Sequence, residues 1–136
     1  MPTLQIQDQT VTGQTTNRLT LDVLTERISV RELIRSRVYQ EVGDYNVRLR
    51  GGGGGADFRG LVQPSDAERT LNGQVRPRSG REIDWKAQFA RACEAFERNG
   101  FFVLVGQYQP TLLDEEIEVR HDTAISFVKL VPLVGG

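Results

Sequence analysis

The sequence predicts a single α+β domain, residues 1–136, in which a mixed sheet packs on a helix. Three observations predict this class. Two alternating runs surround a short polar turn near the N-terminus, a capped amphipathic helix follows them, and two further apolar runs lie in the last third of the chain. A last strand that returns beside the first one makes the sheet mixed and places that strand centrally.

The first 24 residues predict a β-hairpin. Apolar and polar residues alternate in residues 3–12, where Leu4 and Ile6 share one side, and again in residues 18–24. The segment between them, GQTTN at residues 13–17, has the composition of a turn. The hairpin is expected to bury one face.

A capped helix is predicted next. Ser29 and Glu32 have the spacing of a capping box, and apolar residues then recur every three or four positions. Gly43 is well placed to end this helix as its C-terminal cap. The apolar face consists of Val30, Leu33, Ile34, Val38 and Val42.

Residues 44–83 are predicted to form an insertion on the surface of this fold. Five consecutive glycines at residues 51–55 indicate a flexible loop, because glycine is costly to hold in one conformation. Ser65 and Glu68 predict the start of a short second helix, which would end before Gly73. A long insertion adds little loop-closure entropy, about 0.6 kcal/mol per doubling of its length.

A third helix and three further runs complete the domain. Asp84 is expected to cap the helix and Asn99 to end it. Residues 101–105, FFVLV, predict a strand buried on both faces, and residues 112–120 are mixed in character. The last strand is predicted over residues 124–133, where Pro132 should release the chain from the sheet.

The chain ends in two glycines that follow an apolar run. Gly135 and Gly136 do not favour a folded element, because ordering a glycine costs about 0.5–1 kcal/mol more free energy than ordering an alanine. A backbone without Cβ atoms can thread a narrow channel and present its carboxylate to another protein. A frayed end that happens to contain glycine is the competing interpretation.

Composition excludes several function classes. The net charge of −1 gives no electrostatic basis for binding nucleic acid or an anionic membrane. No apolar run approaches the roughly 20 residues of a membrane helix. Cys93, the one cysteine, excludes an internal disulfide. The first residues lack the pattern of a signal peptide, so the cytoplasm is the expected location.

The two ends of the chain resemble the ubiquitin-like β-grasp superfamily. Residues 18–34, RLTLDVLTERISVRELI, are similar to its hairpin and helix, and residues 103–136 are similar to its last strands and terminal di-glycine. The likeness covers roughly residues 3–43 and 101–136, and the middle of the chain is foreign to the superfamily. The implied fold is a β-grasp with an insertion at 44–83 and a flexible tail at 132–136. The chain looks most like a divergent modifier of a bacterial ubiquitination-like operon.

The resemblance implies a protein modifier. The Gly136 carboxylate would be adenylated by an activating enzyme, passed as a thioester to a conjugating enzyme, joined to an unknown target protein and released by a deconjugating peptidase. Gly135 would give clearance, and Pro132, Leu133 and Val134 would dock the tail. The chain itself would contain no catalytic residue, metal or cofactor. Two alternatives are a sulfur carrier that forms a C-terminal thiocarboxylate, and a non-covalent β-grasp interaction module.

Other candidate residues have simpler interpretations. Cys93 shares a helical face with two phenylalanines, which favours a buried thiol over a nucleophile. His121 is the one histidine, so no triad or histidine metal site can be assembled. The run from Asp114 to Glu116 is typical of a solvated turn. Residues 48–52, RLRGG, duplicate the ending of ubiquitin, but they present a carboxylate only after cleavage.

Lysine is scarce. The sequence contains two lysines, Lys86 and Lys129, and fifteen arginines. Genomic base composition accounts for this bias, and a limit on conjugation of the modifier to itself is the functional alternative. In that second case Lys86, on the polar side of its helix, is expected to be the easier of the two to modify.

Overall fold

The computed structural model describes residues 3–23, 25–51, 60–62, 67–69, 75–77, 82–120 and 122–130. The strands in these ranges are β1 (Thr3–Thr10), β2 (Thr15–Asp22), β3 (Arg27–Ser29), β4 (Ala67–Arg69), β5 (Val75–Pro77), β6 (Phe101–Val105), β7 (Glu116–Glu118) and β8 (Ala124–Lys129). The helices are α1 (Val30–Arg50) and α2 (Trp85–Glu97). Neither of these two helices is both long enough and apolar enough to cross a bilayer.

The chain divides into two compact units. The terminal unit comprises Met1–Leu33 and Glu94–Gly136, and the central unit comprises Ile34–Cys93. Both helices run across the division, since α1 begins in the terminal unit and α2 ends in it.

The terminal unit contains a four-stranded mixed sheet with strand order β2-β1-β8-β6. β1 and β2 are the predicted antiparallel hairpin, with Leu4 opposite Leu21. β8 is parallel to β1 on one side and antiparallel to β6 on the other. The central position of the last strand and the mixed α+β character of the fold are therefore confirmed.

One face of this sheet carries an aromatic cluster. The Phe101 ring lies 5.9 Å from the rings of both Phe96 and Phe127, measured between centroids. Phe101 and Val103 are buried, whereas Phe102 is only half-buried on the opposite face. The prediction that residues 101–105 are buried on both faces is wrong, because the face that carries Phe102 and Leu104 is only half covered.

The start of α1 is satisfied by its neighbours. The Glu32 amide donates to Ser29 Oγ at 3.1 Å, as the capping pattern predicts. The Val30 amide donates to the Glu115 carbonyl at 2.9 Å, and the Arg31 amide donates to the Leu113 carbonyl at 2.8 Å. The first amides of the helix, which lack intrahelical partners, are thus paired within the fold.

The helix α1 does not end at Gly43. It continues to Arg50, so the predicted C-terminal cap is wrong and the first seven residues of the predicted insertion are helical. Tyr45 and Asn46 are buried beyond Gly43 and extend the inward face of the helix. Burial of that face outweighs the roughly 1 kcal/mol that an internal glycine costs.

The short helix predicted from Ser65 and Glu68 is also wrong. Ala67–Arg69 is a strand, β4, which pairs antiparallel with β5. Pairing satisfies the backbone groups that a helix would otherwise bond internally. Of the five glycines at 51–55, only Gly51 lies within the described residues.

The ends of α2 follow the prediction. Asp84 Oδ1 accepts a hydrogen bond from the Lys86 amide at 3.0 Å. Asn99 adopts a left-handed conformation with φ of 61°, and the Gly100 amide donates to the Ala95 carbonyl at 2.7 Å. The Asn99 amide donates to the Phe96 carbonyl at 3.1 Å, which completes a Schellman motif.

The central unit has polar groups in its interior. Asn46 Nδ2 donates to the Ile83 carbonyl, and the Ile83 amide donates to Asn46 Oδ1, both at 2.9 Å. Arg37 is fully buried and forms an ion pair with Glu41 at 3.2 Å. Glu41 Oε1 also accepts from the Leu61 amide at 2.9 Å.

Candidate functional site

The predicted site residues Pro132, Leu133, Val134, Gly135 and Gly136 lie outside the described residues. The structure describes the end of the sheet that precedes these residues in the chain, and we call this end the tail root. The tail root consists of Thr10, Val11, Gly100, Lys129 and Leu130. The last strand ends at Lys129, so the predicted extension of the strand is wrong at Leu130, and its remainder lies outside the described ranges.

The tail root lies at one end of β8, which is an internal strand of the sheet. Lys129 is opposite Thr10 of β1 and opposite Phe101 of β6. The Leu130 amide donates to the Gly100 carbonyl at 3.2 Å, one residue beyond the strand. Both neighbours therefore hold the end of β8 at a defined position between β1 and β6.

An ion pair joins β1 to β8 at this position. Lys129 Nζ lies 3.5 Å from Asp8 Oδ2, and the Lys129 side chain is 32% exposed whereas that of Asp8 is 1% exposed. Burial of a carboxylate is unfavourable unless a cation or hydrogen-bond donors compensate it, so the nearby ammonium stabilises the Asp8 charge. The pair therefore helps to hold the strand from which the tail continues.

Asp8 was not among the residues singled out from the sequence. The alternating pattern that places Leu4 and Ile6 on the buried side also places Asp8 there, since all three have even numbers. A charged residue at a position predicted to be buried indicates a partner in the fold. The even-numbered position of Asp8 was therefore the signal in the sequence that its side chain is buried.

Two apolar side chains are exposed at the tail root. Val11 is 61% exposed and Leu130 is 43% exposed. They follow Thr10 and Lys129, which are register neighbours in the parallel pair β1–β8. Both side chains are accessible to a second protein that approaches this end of the sheet.

The length of the tail limits where its carboxylate can act. Six residues follow Leu130 in the sequence. A fully extended chain advances at most about 3.3–3.6 Å per residue, so Gly136 can reach roughly 20 Å from Leu130. The active site of an enzyme that acts on this carboxylate must therefore come within about that distance of Leu130.

The other candidates from the sequence are placed as follows. Cys93 is buried, and His121 lies outside the described residues. Asp114 forms an ion pair with Arg31 at 3.1 Å. Within the described part of the chain, no three His, Cys, Asp or Glu side chains are arranged to hold a metal ion.

Glu115, in the acidic run, is in contact with Tyr108. The Tyr108 hydroxyl donates to Glu115 Oε2. This hydrogen bond, together with those from the Thr111 and Leu112 backbone, lowers the pKa of Glu115. The same hydrogen bond is the main reason that the pKa of Tyr108 is raised.

The two lysines differ in environment. Lys86 is exposed in the first turn of α2. Lys129 is partly covered and is paired with Asp8. This contrast is the one expected if Lys86 is the easier lysine to modify.

Comparison with known proteins gives no match. No protein-family model matches the chain, and no curated protein or solved structure matches it significantly. Function must therefore be inferred from the residues and from the topology of the sheet.

Proposed function

We propose that the chain is a ubiquitin-like β-grasp protein modifier whose Gly136 carboxylate is activated and conjugated to a target protein. One observation carries the proposal. The last strand, β8, lies inside the sheet beside a parallel β1, and the di-glycine follows a few residues after it. This position fixes the tail root mechanically, while the glycines that follow leave the carboxylate room to enter a foreign active site.

The order of elements supports the β-grasp part of the proposal. A hairpin, a capped helix and then antiparallel β6 and β8 occur in the order that the resemblance implies. The middle of the chain departs from that pattern, since it contains the hairpin β4–β5 and most of α2.

The proposed chemistry belongs to partner enzymes. A carboxylate is a poor electrophile, so the Gly136 oxygen would first attack the α-phosphorus of ATP and release pyrophosphate. A cysteine thiol of the activating enzyme would then displace AMP and form a thioester. An amine of the target would finally displace the thiol and leave an amide bond. The chain contributes the carboxylate and the surface that delivers it.

Docking of the activating enzyme is assigned to the tail root. The reach of the tail places the active site of such an enzyme within roughly 20 Å of Leu130, and Val11 and Leu130 are the exposed apolar side chains at the tail root. Their burial would favour association by roughly 25 cal/mol per Å² of apolar surface removed from water.

The test uses the full chain, a candidate adenylating enzyme from the same genome, and ATP. We expect ATP–pyrophosphate exchange and, by intact mass, a covalent adduct of the chain with the enzyme. Deletion of Gly136 should abolish both without a change in the far-UV circular dichroism spectrum. Normal exchange by the chain that lacks Gly136 would refute the proposal.

Matched surface variants test the docking assignment. Val11→Ser and Leu130→Ser should raise the KM for the chain while kcat changes little, because they remove binding and not chemistry. Leu112→Ser removes an exposed leucine at the other end of the sheet and should leave the KM unchanged. A mass gain that corresponds to one oxygen replaced by sulfur would instead identify a sulfur carrier. Absence of any reaction would favour the non-covalent module.

A further inference from the structure

We propose that the loop between β6 and β7, residues 106–115, is a docking surface for a basic amphipathic segment of a partner protein. Two large apolar side chains of this loop are exposed, Tyr108 at 57% and Leu112 at 67%. The loop also has buried apolar residues, Pro110 and Leu113. Tyr108 and Leu112 are therefore left outside a loop that has its own anchors.

The loop is held in one conformation by several hydrogen bonds. The Val105 amide donates to the Tyr108 carbonyl at 2.8 Å, and the Tyr108 amide donates to the Val105 carbonyl at 3.0 Å. Glu115 accepts from the Tyr108 hydroxyl and, at 3.1 Å, from the Thr111 amide. A partner would meet a loop whose backbone is already held by these bonds, which reduces the entropy lost on binding.

The loop is also joined to the start of α1. The Leu113 and Glu115 carbonyls accept hydrogen bonds from the Arg31 and Val30 amides. These bonds replace the partners that a helix start would otherwise take from water. Displacement of the loop would therefore expose helix amides, and this disfavours movement of the loop away from its position.

Charge determines the chemistry of the partner. Four of the five residues from Asp114 to Glu118 are acidic. Arg31 pairs with Asp114, and Arg27 and Arg120 both pair with Glu118, whereas Glu115 and Glu116 form no ion pair with any residue that the structure describes. These two carboxylates would disfavour an anionic partner and attract a segment with lysines or arginines beside apolar residues.

The loop surface and the tail root are at opposite ends of β8. The Gly106 amide donates to the Ala124 carbonyl, where β8 begins, and Leu130 follows the end of the strand. Six strand residues span about 20 Å. A partner on the loop is therefore separate from an enzyme at the tail root, and the inference does not depend on the proposed modifier function.

The experiment measures binding of a synthetic amphipathic helical peptide made of leucine and lysine, by isothermal titration calorimetry at low salt. A peptide with glutamate in place of lysine is the charge-reversed control. We expect the lysine peptide to bind, with an affinity that falls as salt is raised, and the glutamate peptide not to bind. Equal binding of both peptides, or no binding of the lysine peptide, would overturn the inference.

Two variants locate the binding site. Leu112→Ser should weaken binding of the lysine peptide by about tenfold, as is common for a central interface residue. Glu116→Lys should weaken it as well, by reversal of a charge without loss of apolar surface. Val11→Ser, which removes an exposed apolar side chain at the tail root, should leave the affinity unchanged. Weakening by Val11→Ser equal to that by Leu112→Ser would contradict the assignment.

Discussion

Replacement of Gly43 by alanine should stabilise the folded chain. Gly43 lies inside α1, seven residues before its end, and is exposed to solvent. A Cβ atom added at this position meets no other heavy atom within 4 Å. The substitution therefore removes backbone freedom from the unfolded chain and loses no contact in the folded one.

The expected gain follows from the helix propensities of the two residues. Alanine is favoured over glycine inside a helix by about 0.5–1 kcal/mol. Urea unfolding of a small protein has a slope of about 1–3 kcal/mol per molar, so the midpoint of Gly43→Ala should rise by roughly 0.2–1 M. Far-UV circular dichroism at the helix band is the appropriate measurement.

Gly106→Ala is the matched control. A methyl group at position 106 would also enter open space, but φ there is +62°, a conformation that side chains with a Cβ rarely adopt. The same chemical change should therefore destabilise the fold there, by about 1–2 kcal/mol. A lower midpoint for Gly43→Ala would refute the reasoning, because it would mean that the folded helix requires glycine at position 43.

Three further predictions concern single side chains. Asn46→Ala should destabilise the chain by about 2–4 kcal/mol, because the buried amide and carbonyl of Ile83 both lose their partner; a loss below about 0.5 kcal/mol in urea unfolding would contradict this. Tyr108→Phe should raise the pKa of Glu115 toward its ordinary value, as NMR titration of the carboxyl can establish; an unchanged pKa would show that the hydroxyl is not its main cause. Since the folded pKa of Glu115 is lowered, its contribution to stability is present above pH 4.5 and is lost as the pH falls through the folded pKa. Asn99→Val should destabilise the chain by about 1–2 kcal/mol and Asn99→Gly should not, since φ is positive there; equal melting temperatures for the two variants would argue against a strained cap.

Local signals in the sequence predicted local structure well. The structure contains the predicted N-terminal caps at Ser29 and Asp84 and the predicted helix end at Asn99, which a glycine follows. Each depends on hydrogen bonds between residues within a few positions of one another. Such bonds are available whatever the rest of the chain does.

Local signals were less reliable where the segment also makes contacts with residues farther away in the chain. Gly43 has the composition of a helix end, but burial of Tyr45 beyond it continues the helix. Glu68 has the spacing of a capping box, but the segment pairs with β5 instead. In both cases tertiary contacts outweigh a local preference of about 1 kcal/mol.

The candidate site likewise has one part that can be predicted from local sequence and another part that depends on tertiary contacts. The residues of the tail are a prediction from the sequence alone, because glycines after an apolar run are visible in any sequence. The tail root was not predicted, because the Asp8–Lys129 pair joins residues that lie near opposite ends of the chain. The exposed pair Val11 and Leu130 likewise depends on the parallel register of β1 and β8.

The sequence by itself determined the hairpin, the helix starts, the central last strand and the two terminal glycines that suggest a modifier. The hairpin and the helix starts follow from periodicity and from short-range hydrogen bonds, which are encoded within a few residues, and the central place of the last strand follows from its expected return beside the first strand. Only the tertiary structure decided how far α1 extends, which edge β6 occupies, where β8 ends and which apolar side chains of the described residues stay exposed. Those features depend on register and burial, which arise only when segments far apart in the chain come together.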